Sequence, residues 1–143
     1  MGLYRVMAIG STGLAAQRLR MEALSSNLSN VNTTAGPDGQ VYQRRVPVFR
    51  AEKVGNDFAS TLDEQRKLYE VRVDRITTDK RDPIMAYDPG HPEADEDGYV
   101  AYPNINTMEE MVGLMSASRN YEANLTAVNA AKEMAKRAIE LAG

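Results

Sequence analysis

The sequence predicts a mainly α-helical protein with a small β-rich insert, whose long N- and C-terminal helices pair as an antiparallel coiled coil. Three observations predict this class: an apolar repeat at each end, turn- and strand-like residues only in the middle, and an alanine-rich composition. The chain of 143 residues is 43% hydrophobic, but eighteen residues are alanine, two are Phe and none is Trp. Because alanine buries little apolar area, the chain is poorly supplied for a large core of its own.

The first element is a helix over residues 3–31, in which a series of residues recurs at alternating steps of four and three. Seven of the nine positions are apolar. This alternation is typical of a coiled-coil seam, and a globular helix with a loose first turn also fits the spacing. The series is Leu3, Met7, Gly10, Leu14, Gln17, Met21, Leu24, Leu28 and Val31. Glycine in this series costs a helix roughly 1 kcal/mol relative to alanine, but it permits the close approach of a partner.

The middle of the chain carries turn residues and short β-like runs. The predicted strands are residues 41–49, 69–74 and 99–102. Pro47 indicates that the first of these is an edge strand. Residues 53–67 are polar and fit either a short helix capped by Asn56 or a loop. Residues 79–90 are predicted to be a loop because prolines interrupt them.

The last element is one long amphipathic helix over residues 104–143. It is predicted to open with a capping box, in which Thr107 and Glu110 satisfy each other's backbone N–H groups. Its apolar series contains Met111, Leu114, Tyr121, Leu125, Val128, Ala135 and Ile139. The helix is about 50 Å long, which is too long for this chain to cover, so we expect another long helix beside it.

Small residues on both helices are expected to let the helices approach closely. They are Gly10, Gly13, Ala15, Ala16, Ala117, Ala123, Ala127 and Ala131. Six amide side chains also lie on or beside the helices: Gln17, Asn27, Asn30, Asn120, Asn124 and Asn129. A polar group in a helical seam can fix register and partner choice, and exposure of these amides to solvent is the equally open alternative.

The composition and the motifs do not indicate an enzyme. A formal charge of -3 argues against a nucleic-acid partner, because a domain that binds phosphates is usually strongly basic. No cysteine is present for a thiolate metal site or a nucleophile. We expect no catalytic residue, no cofactor and no metal. We also expect no direct membrane insertion, because no run approaches the ~18 apolar residues of a membrane span.

An acidic turn supplies the alternative function. Glu93, Asp95, Asp97 and Gly98 match the first positions of a calcium-binding loop, but Asn104 stands where the bidentate Glu is required. A solvated acidic turn is therefore expected. The alternative is a soluble coiled-coil adaptor with an acidic, calcium-binding loop.

Two signatures at opposite ends of the chain resemble those of bacterial flagellar rod and hook axial proteins. The N-terminal signature is GLAAQRLRME at residues 13–22 followed by SNLSNVNTT at residues 26–34. The C-terminal signature is EEMV at residues 109–112 followed by SRNYEAN at residues 118–124. The connecting residues 34–42, 87–92, 97–100 and 103–106 resemble the proximal-rod branch of that family. Ser29 departs from the family pattern, which usually has alanine there.

The resemblance implies a structural subunit of the basal-body rod, in the part that spans the periplasm. It implies helical polymerisation around the export channel to form the torque-transmitting drive shaft. Residues 1–34 plus 104–143 are then the assembly domain, and residues 35–103 are a β-rich excursion that faces outward. The implied partners are further copies, rod proteins of the FlgB, FlgF and FliE types, and the flagellar type III export apparatus, which exports such proteins without a cleaved signal peptide.

The two apolar series given above are the predicted assembly interface. The ends, residues 1–34 and 107–143, are expected to stay weakly structured in the isolated subunit and to become ordered when they dock.

Overall fold

The computed structural model describes residues 2–34, 39–53 and 68–142. Within these ranges the elements are α1 (Gly2–Ser29), β1 (Arg45–Lys53), β2 (Tyr69–Thr78), β3 (Ile84–Tyr87), β4 (Tyr99–Tyr102) and α2 (Thr107–Ala142). β1 and β2 form one antiparallel two-stranded sheet, and β3 and β4 form another. This order confirms the prediction of a mainly α-helical protein with a small β-rich insert.

The predicted boundaries differ from the observed ones in the insert. β4 coincides with the predicted strand at residues 99–102, and β2 extends to Thr78. The first strand was placed wrongly, because β1 starts at Arg45, where Asn27 pairs with its backbone. The prediction of a loop over residues 79–90 is also wrong, because four of these residues pair with β4 and form β3. The alternatives for residues 53–67 concern residues 54–67, which lie outside the described part of the chain.

α1 and α2 pack side by side in opposite directions. Contacts at increasing residue numbers in α1 fall at decreasing residue numbers in α2: Gly10 lies against Val128, Gly13 against Asn124, and Leu24 against Gly113. A methyl group added at Gly10 or Gly113 would press on the facing side chain. Glycine therefore sets the short separation between the helices.

The side chains that are fully buried are small. Seven apolar residues in the described part of the chain are buried, and four of them are alanine. The seven are Ala16, Ala23, Leu24, Val100, Ile105, Ala117 and Ala131. The helix pair therefore gains little hydrophobic free energy per residue, as the composition indicates. In the described ranges, neither helix is apolar enough over its length to cross a membrane.

A buried polar cluster joins the helix pair to the insert. Asn27 and Glu110 are 0% and 1% exposed. Asn27 Nδ2 donates to Glu110 Oε2 at 3.0 Å, and Arg44 Nε donates to Glu110 Oε1 at 2.6 Å. Tyr42 Oη donates to Asn27 Oδ1 at 3.1 Å. We call Asn27, Tyr42, Arg44 and Glu110 the junction cluster.

The Asn27 amide also completes the free edge of β1. Its Nδ2 donates to the Arg45 carbonyl oxygen at 2.9 Å, and its Oδ1 accepts from the Arg45 N–H at 2.8 Å. An adjacent strand would make the same two hydrogen bonds, so the backbone of Arg45 is fully paired on this edge. On the other edge β1 begins at Arg45 because its pairing with β2 starts there, opposite Thr78, four residues later than predicted.

The predicted capping box of α2 is wrong. Asn106 caps the helix, because its Oδ1 accepts from the N–H groups of Met108 and Glu109 at 3.0 and 3.3 Å. The Glu110 side chain points into the junction cluster instead. There it accepts hydrogen bonds from Asn27 and Arg44, and a buried carboxylate without such donors would lower the stability of the fold.

The junction cluster predicts a large difference between two adjacent glutamates. Glu110→Ala removes the acceptor that Asn27 and Arg44 share, so we expect the free energy of unfolding to fall by about 2–3 kcal/mol. Glu109→Ala is the matched control, because Glu109 is exposed, and we expect a change within about 0.5 kcal/mol. Urea unfolding followed by circular dichroism measures both variants. Equal small losses would show that the cluster does not hold the junction.

Candidate assembly surface

α2 turns one row of residues toward α1. The members of this row are buried or half-buried: Glu110, Gly113, Leu114, Ala117, Tyr121, Asn124, Val128, Ala131 and Ala135. Apart from the adjacent Gly113 and Leu114, they recur at steps of three and four, the spacing of one helical face. This face is covered within the subunit as far as the start of α1. The register places that start opposite residue 136, so the last turns of α2 extend beyond α1.

A second row runs along a different side of α2 and is exposed throughout. Its members are Val112, Ser116, Asn120, Ala123, Ala127, Ala130, Met134, Ala138 and Leu141. Val112, Met134 and Leu141 are 57%, 60% and 90% exposed. The row carries no charge over a length of about 44 Å, whereas a face that remains in water usually carries charged residues. We call this row the outer stripe.

The start of α2 carries a separate apolar group. Met108, Met111 and Met115 are 69%, 43% and 55% exposed and lie on the side opposite α1. A shallow groove connects Met108 to Ile84 on β3, which is also half exposed. We call Met108, Met111 and Met115 the methionine patch. Methionine adapts its shape to a partner and is common on binding surfaces.

The residues of the predicted interface divide into three groups. Leu24 is buried in the helix pair. The half-buried members are Met7, Gly10, Leu14, Gln17, Met21, Leu28 and Val31 on the N-terminal side, and Leu114, Tyr121, Val128 and Ala135 on α2. Met111, Leu125 and Ile139 are exposed. The side chain of Leu3 lies outside the described part of the structure.

Sequence reasoning missed part of what joins the two helices. Gly113, Glu110 and Asn27 make the contacts at the end nearest the insert, and none of them belongs to the predicted series. The positions of Asn27 and Arg44 gave no signal, because both bind Glu110, which is distant from them in sequence. The glycine inside an otherwise regular helical pattern was the available signal for a close contact.

The amide side chains follow both alternatives. Asn27 is buried and fully hydrogen-bonded, whereas Asn120 and Asn129 are exposed. Gln17 is half-buried, and its buried Oε1 atom has no hydrogen-bond partner among the described residues. Such an atom lowers the stability of the helix pair, because it has given up its bond to water without a replacement.

The acidic turn uses its carboxylates for its own backbone. Asp95 Oδ1 accepts from the N–H groups of Asp97 and Tyr99 at 3.0 and 2.7 Å. His91 Nδ1 accepts from the Glu93 N–H at 3.1 Å. Among the residues that the structure describes, no three acidic, histidine or cysteine side chains are grouped to hold a metal ion.

A cavity of about 260 Å³ lies within the insert, between the residues before β1 and those around β3 and β4. Arg44 and Arg81 line it, and each pairs with a carboxylate, Glu110 and Asp79. The hydrogen bond from Arg81 holds the pKa of Asp79 below its usual value, so that carboxylate stays charged. Because these charges are already matched, neither arginine is free to bind an anionic ligand in the cavity.

Comparisons with known proteins agree with the fold. The C-terminal family of flagellar basal body rod FlgEFG proteins matches residues 96–141, and the flagella basal body rod protein family matches residues 7–37. The flagellar basal-body rod protein FlgC of Borreliella burgdorferi is 41% identical, over 99% of this chain and 98% of the relative. The FlgC proteins of Bacillus subtilis and Salmonella typhimurium are 37% and 34% identical, over 99% of this chain and 99% and 98% of each relative.

These relatives are structural proteins of the rod and not enzymes, which confirms the prediction of a non-enzymatic rod subunit. At this identity over nearly the whole length, the chain belongs to the FlgC family and is a structural subunit of the flagellar basal-body rod.

Proposed function

We propose that this rod subunit polymerises helically through its terminal helices and forms part of the torque-transmitting shaft around the export channel. The observation that carries the proposal is the outer stripe of α2. The helix already has one face against α1, yet it keeps a second, uncharged row exposed along about 44 Å. A second long helix from a neighbouring subunit fits such a row.

The composition of the outer stripe suits the contact between helices. Its alanines and Ser116 are small, so a neighbouring helix can approach closely over many turns. Met134 and Leu141 add large apolar groups near the end that extends beyond α1. Coiled-coil packing between neighbouring subunits, rather than within one subunit alone, then completes the burial of the terminal helices.

The position of the insert supports a division into two functional parts. The junction cluster attaches the insert at one end of the helix pair. The side of α2 that carries the outer stripe therefore stays free for neighbours along most of the helix. We assign residues 1–34 plus 104–143 to assembly, and residues 35–103 to an excursion that faces outward. The neighbours in this proposal are further copies and rod proteins of the FlgB, FlgF and FliE types. Delivery is by the flagellar type III export apparatus without a cleaved signal peptide.

Several features support a helix pair that is weak before assembly. Gly10, Gly13 and Gly113 each cost a helix interior roughly 1 kcal/mol relative to alanine. The buried Oε1 atom of Gln17 has no hydrogen-bond partner in the part of the chain that the structure describes. An export apparatus has to pass an unfolded chain, so weak ends ease export and gain their order on docking. The sequence predicts weak structure before docking over residues 1–34 and 107–143. The junction cluster supports weak structure over a shorter part of each helix, because the helical turns next to the cluster stay bound to the insert.

Amide hydrogen exchange tests the weakness of the helix pair. In a verified monomer we expect residues 2–20 and 117–142 to exchange rapidly, because the fully buried side chains between them are small. In purified basal bodies the same amides are expected to be protected. Strong protection of both segments in the monomer would contradict this part of the proposal.

A charge placed on the outer stripe tests polymerisation. Ala127→Glu puts a carboxylate into the expected contact between helices, so we expect the variant to be excluded from the rod and cells to lose motility. Thr126→Glu is the matched control, because the adjacent Thr126 lies on the row that carries Arg119 and Glu122, and we expect it to assemble. Basal bodies are purified and probed for the subunit. Normal incorporation of Ala127→Glu would rule out a buried position for this residue.

The insert should be unaffected by the same change. Ala127 is exposed in the single subunit and distant in sequence from the junction cluster. We therefore expect the exchange protection of β1 and β2 to be the same in both variants.

A further inference from the structure

One amide side chain lies in the middle of the contact between α1 and α2. Gln17 follows Gly13, which lies against Asn124, by one helical turn. Two turns after Gln17, Leu24 lies against Gly113. Gln17 is half-buried, like the other members of its series on either side of it. It therefore belongs to the closely packed part of the helix pair.

The side-chain oxygen of Gln17 has lost its contact with water without gaining a donor. Its Oε1 atom is buried, and no described residue donates a hydrogen bond to it. The N–H groups in a helix interior are bonded to carbonyl oxygens of their own helix, so the backbone of the pair supplies no donor either. A buried acceptor without a donor costs free energy. Gln17 therefore opposes the pairing of α1 with α2 at its own position.

Methionine at position 17 would pair the helices more strongly. Methionine and glutamine have nearly the same helix propensity, and the same series uses methionine at Met7 and Met21. Only Gly10 and Gln17 among the nine positions of the series are not apolar. Gly10 has a packing role, because it lies against Val128. The described contacts give the amide of Gln17 no such role.

Gln17 lies where the firmly held part of α1 ends. Toward the insert, Ala23, Leu24 and Asn27 are buried, and hydrogen bonds of the junction cluster hold Asn27. Toward the N-terminus, residues 5–15 are all half-buried or exposed. An unpaired atom at this boundary favours opening of the N-terminal half of α1 and leaves the junction cluster intact.

We propose that the unpaired amide oxygen of Gln17 keeps the N-terminal half of α1 loosely paired with α2, and that this loose pairing speeds export of the subunit. The inference rests on the proposed function, in which an export apparatus passes the chain unfolded. A subunit with paired helices has to open them before it can pass, so the rate of export follows the fraction that is open. Contacts with neighbours in the rod then supply the stability that the single subunit lacks.

Amide hydrogen exchange of the purified subunit tests the effect on pairing. Gln17→Met removes the unpaired oxygen, so we expect the protection of residues 5–15 to rise by about 5- to 30-fold. Gln43→Met is the matched control, because it makes the same replacement at an exposed position outside the helices. We expect no rise in that variant. Equal protection in Gln17→Met and the unmodified chain would overturn the inference.

Export is measured in cells as the half-time with which newly made, labelled subunit leaves the cytoplasm. We expect Gln17→Met to lengthen this half-time by up to the same factor, because the open fraction falls by that factor. Gln43→Met is expected to leave at the rate of the unmodified subunit. Unchanged export of Gln17→Met, despite its greater protection, would overturn the inference.

A double variant separates stability from recognition of the glutamine itself. Ala131 is 1% exposed in the same helix pair, and glycine in a helix interior shifts the equilibrium toward the open state by about 5-fold. When Gln17→Met is combined with Ala131→Gly, we expect export to return toward the unmodified rate. Export that stays slow would show that the apparatus recognises Gln17 directly, which would overturn the inference.

A different result would contradict the proposed function on which the inference rests. The unmodified subunit is followed in cells that lack the flagellar export apparatus, where we expect it to stay in the cytoplasm. Equally fast departure in those cells would show that the apparatus does not deliver this subunit.

Discussion

The structure depends on how closely two alanine- and glycine-rich helices can approach while a single polar cluster fixes their relation to the insert. Glycines at the contacts bring α1 and α2 together, but small side chains contribute little burial. The largest fully buried side chains in the described residues are Glu110, Val100 and Asn27, so two of the three are polar. The geometry of the subunit is therefore fixed more by hydrogen bonds than by a large apolar core.

The features that the sequence could predict are those with a period. The apolar repeats at both ends predicted both helices, and alternation of side chains predicted β2 and β4. β3 was missed because it has only four residues between prolines and forms only by pairing with β4. The role of Glu110 was missed because its spacing to Thr107 fits a capping box equally well. Its true partners, Asn27 and Arg44, are distant in sequence, and no local pattern identifies them.

The exposed surfaces of the candidate site were likewise predicted in part. Met111, Leu125 and Ile139 of the predicted interface are exposed and remain free for neighbours. The predicted series contains no residue of the outer stripe, because an alanine-rich row has few large apolar side chains to mark it as a separate face. The apolar side of the β1–β2 sheet could not be predicted either. In a regular strand the side chains of Ile76 and Val73 would point to opposite sides of the sheet. The bulge brings them to the same side, and it is set by the pairing of β1 with β2, which a single strand's pattern does not reveal.

A buried ion pair is weak evidence for stability, since apolar residues of similar volume often do as well. The junction cluster has a more specific consequence. Glu110 on α2 binds Asn27 on α1, and Arg44 and Arg45 bind the same two side chains just as β1 begins. Three separate parts of the chain are thus held by directional bonds, and a rotation of the insert about the helix pair would break several of them at once. In the shaft proposed above, torque that neighbours apply to the insert would have to reach the helices. A junction of short, directional and buried hydrogen bonds would transmit it with less rotation than a contact between smooth apolar surfaces.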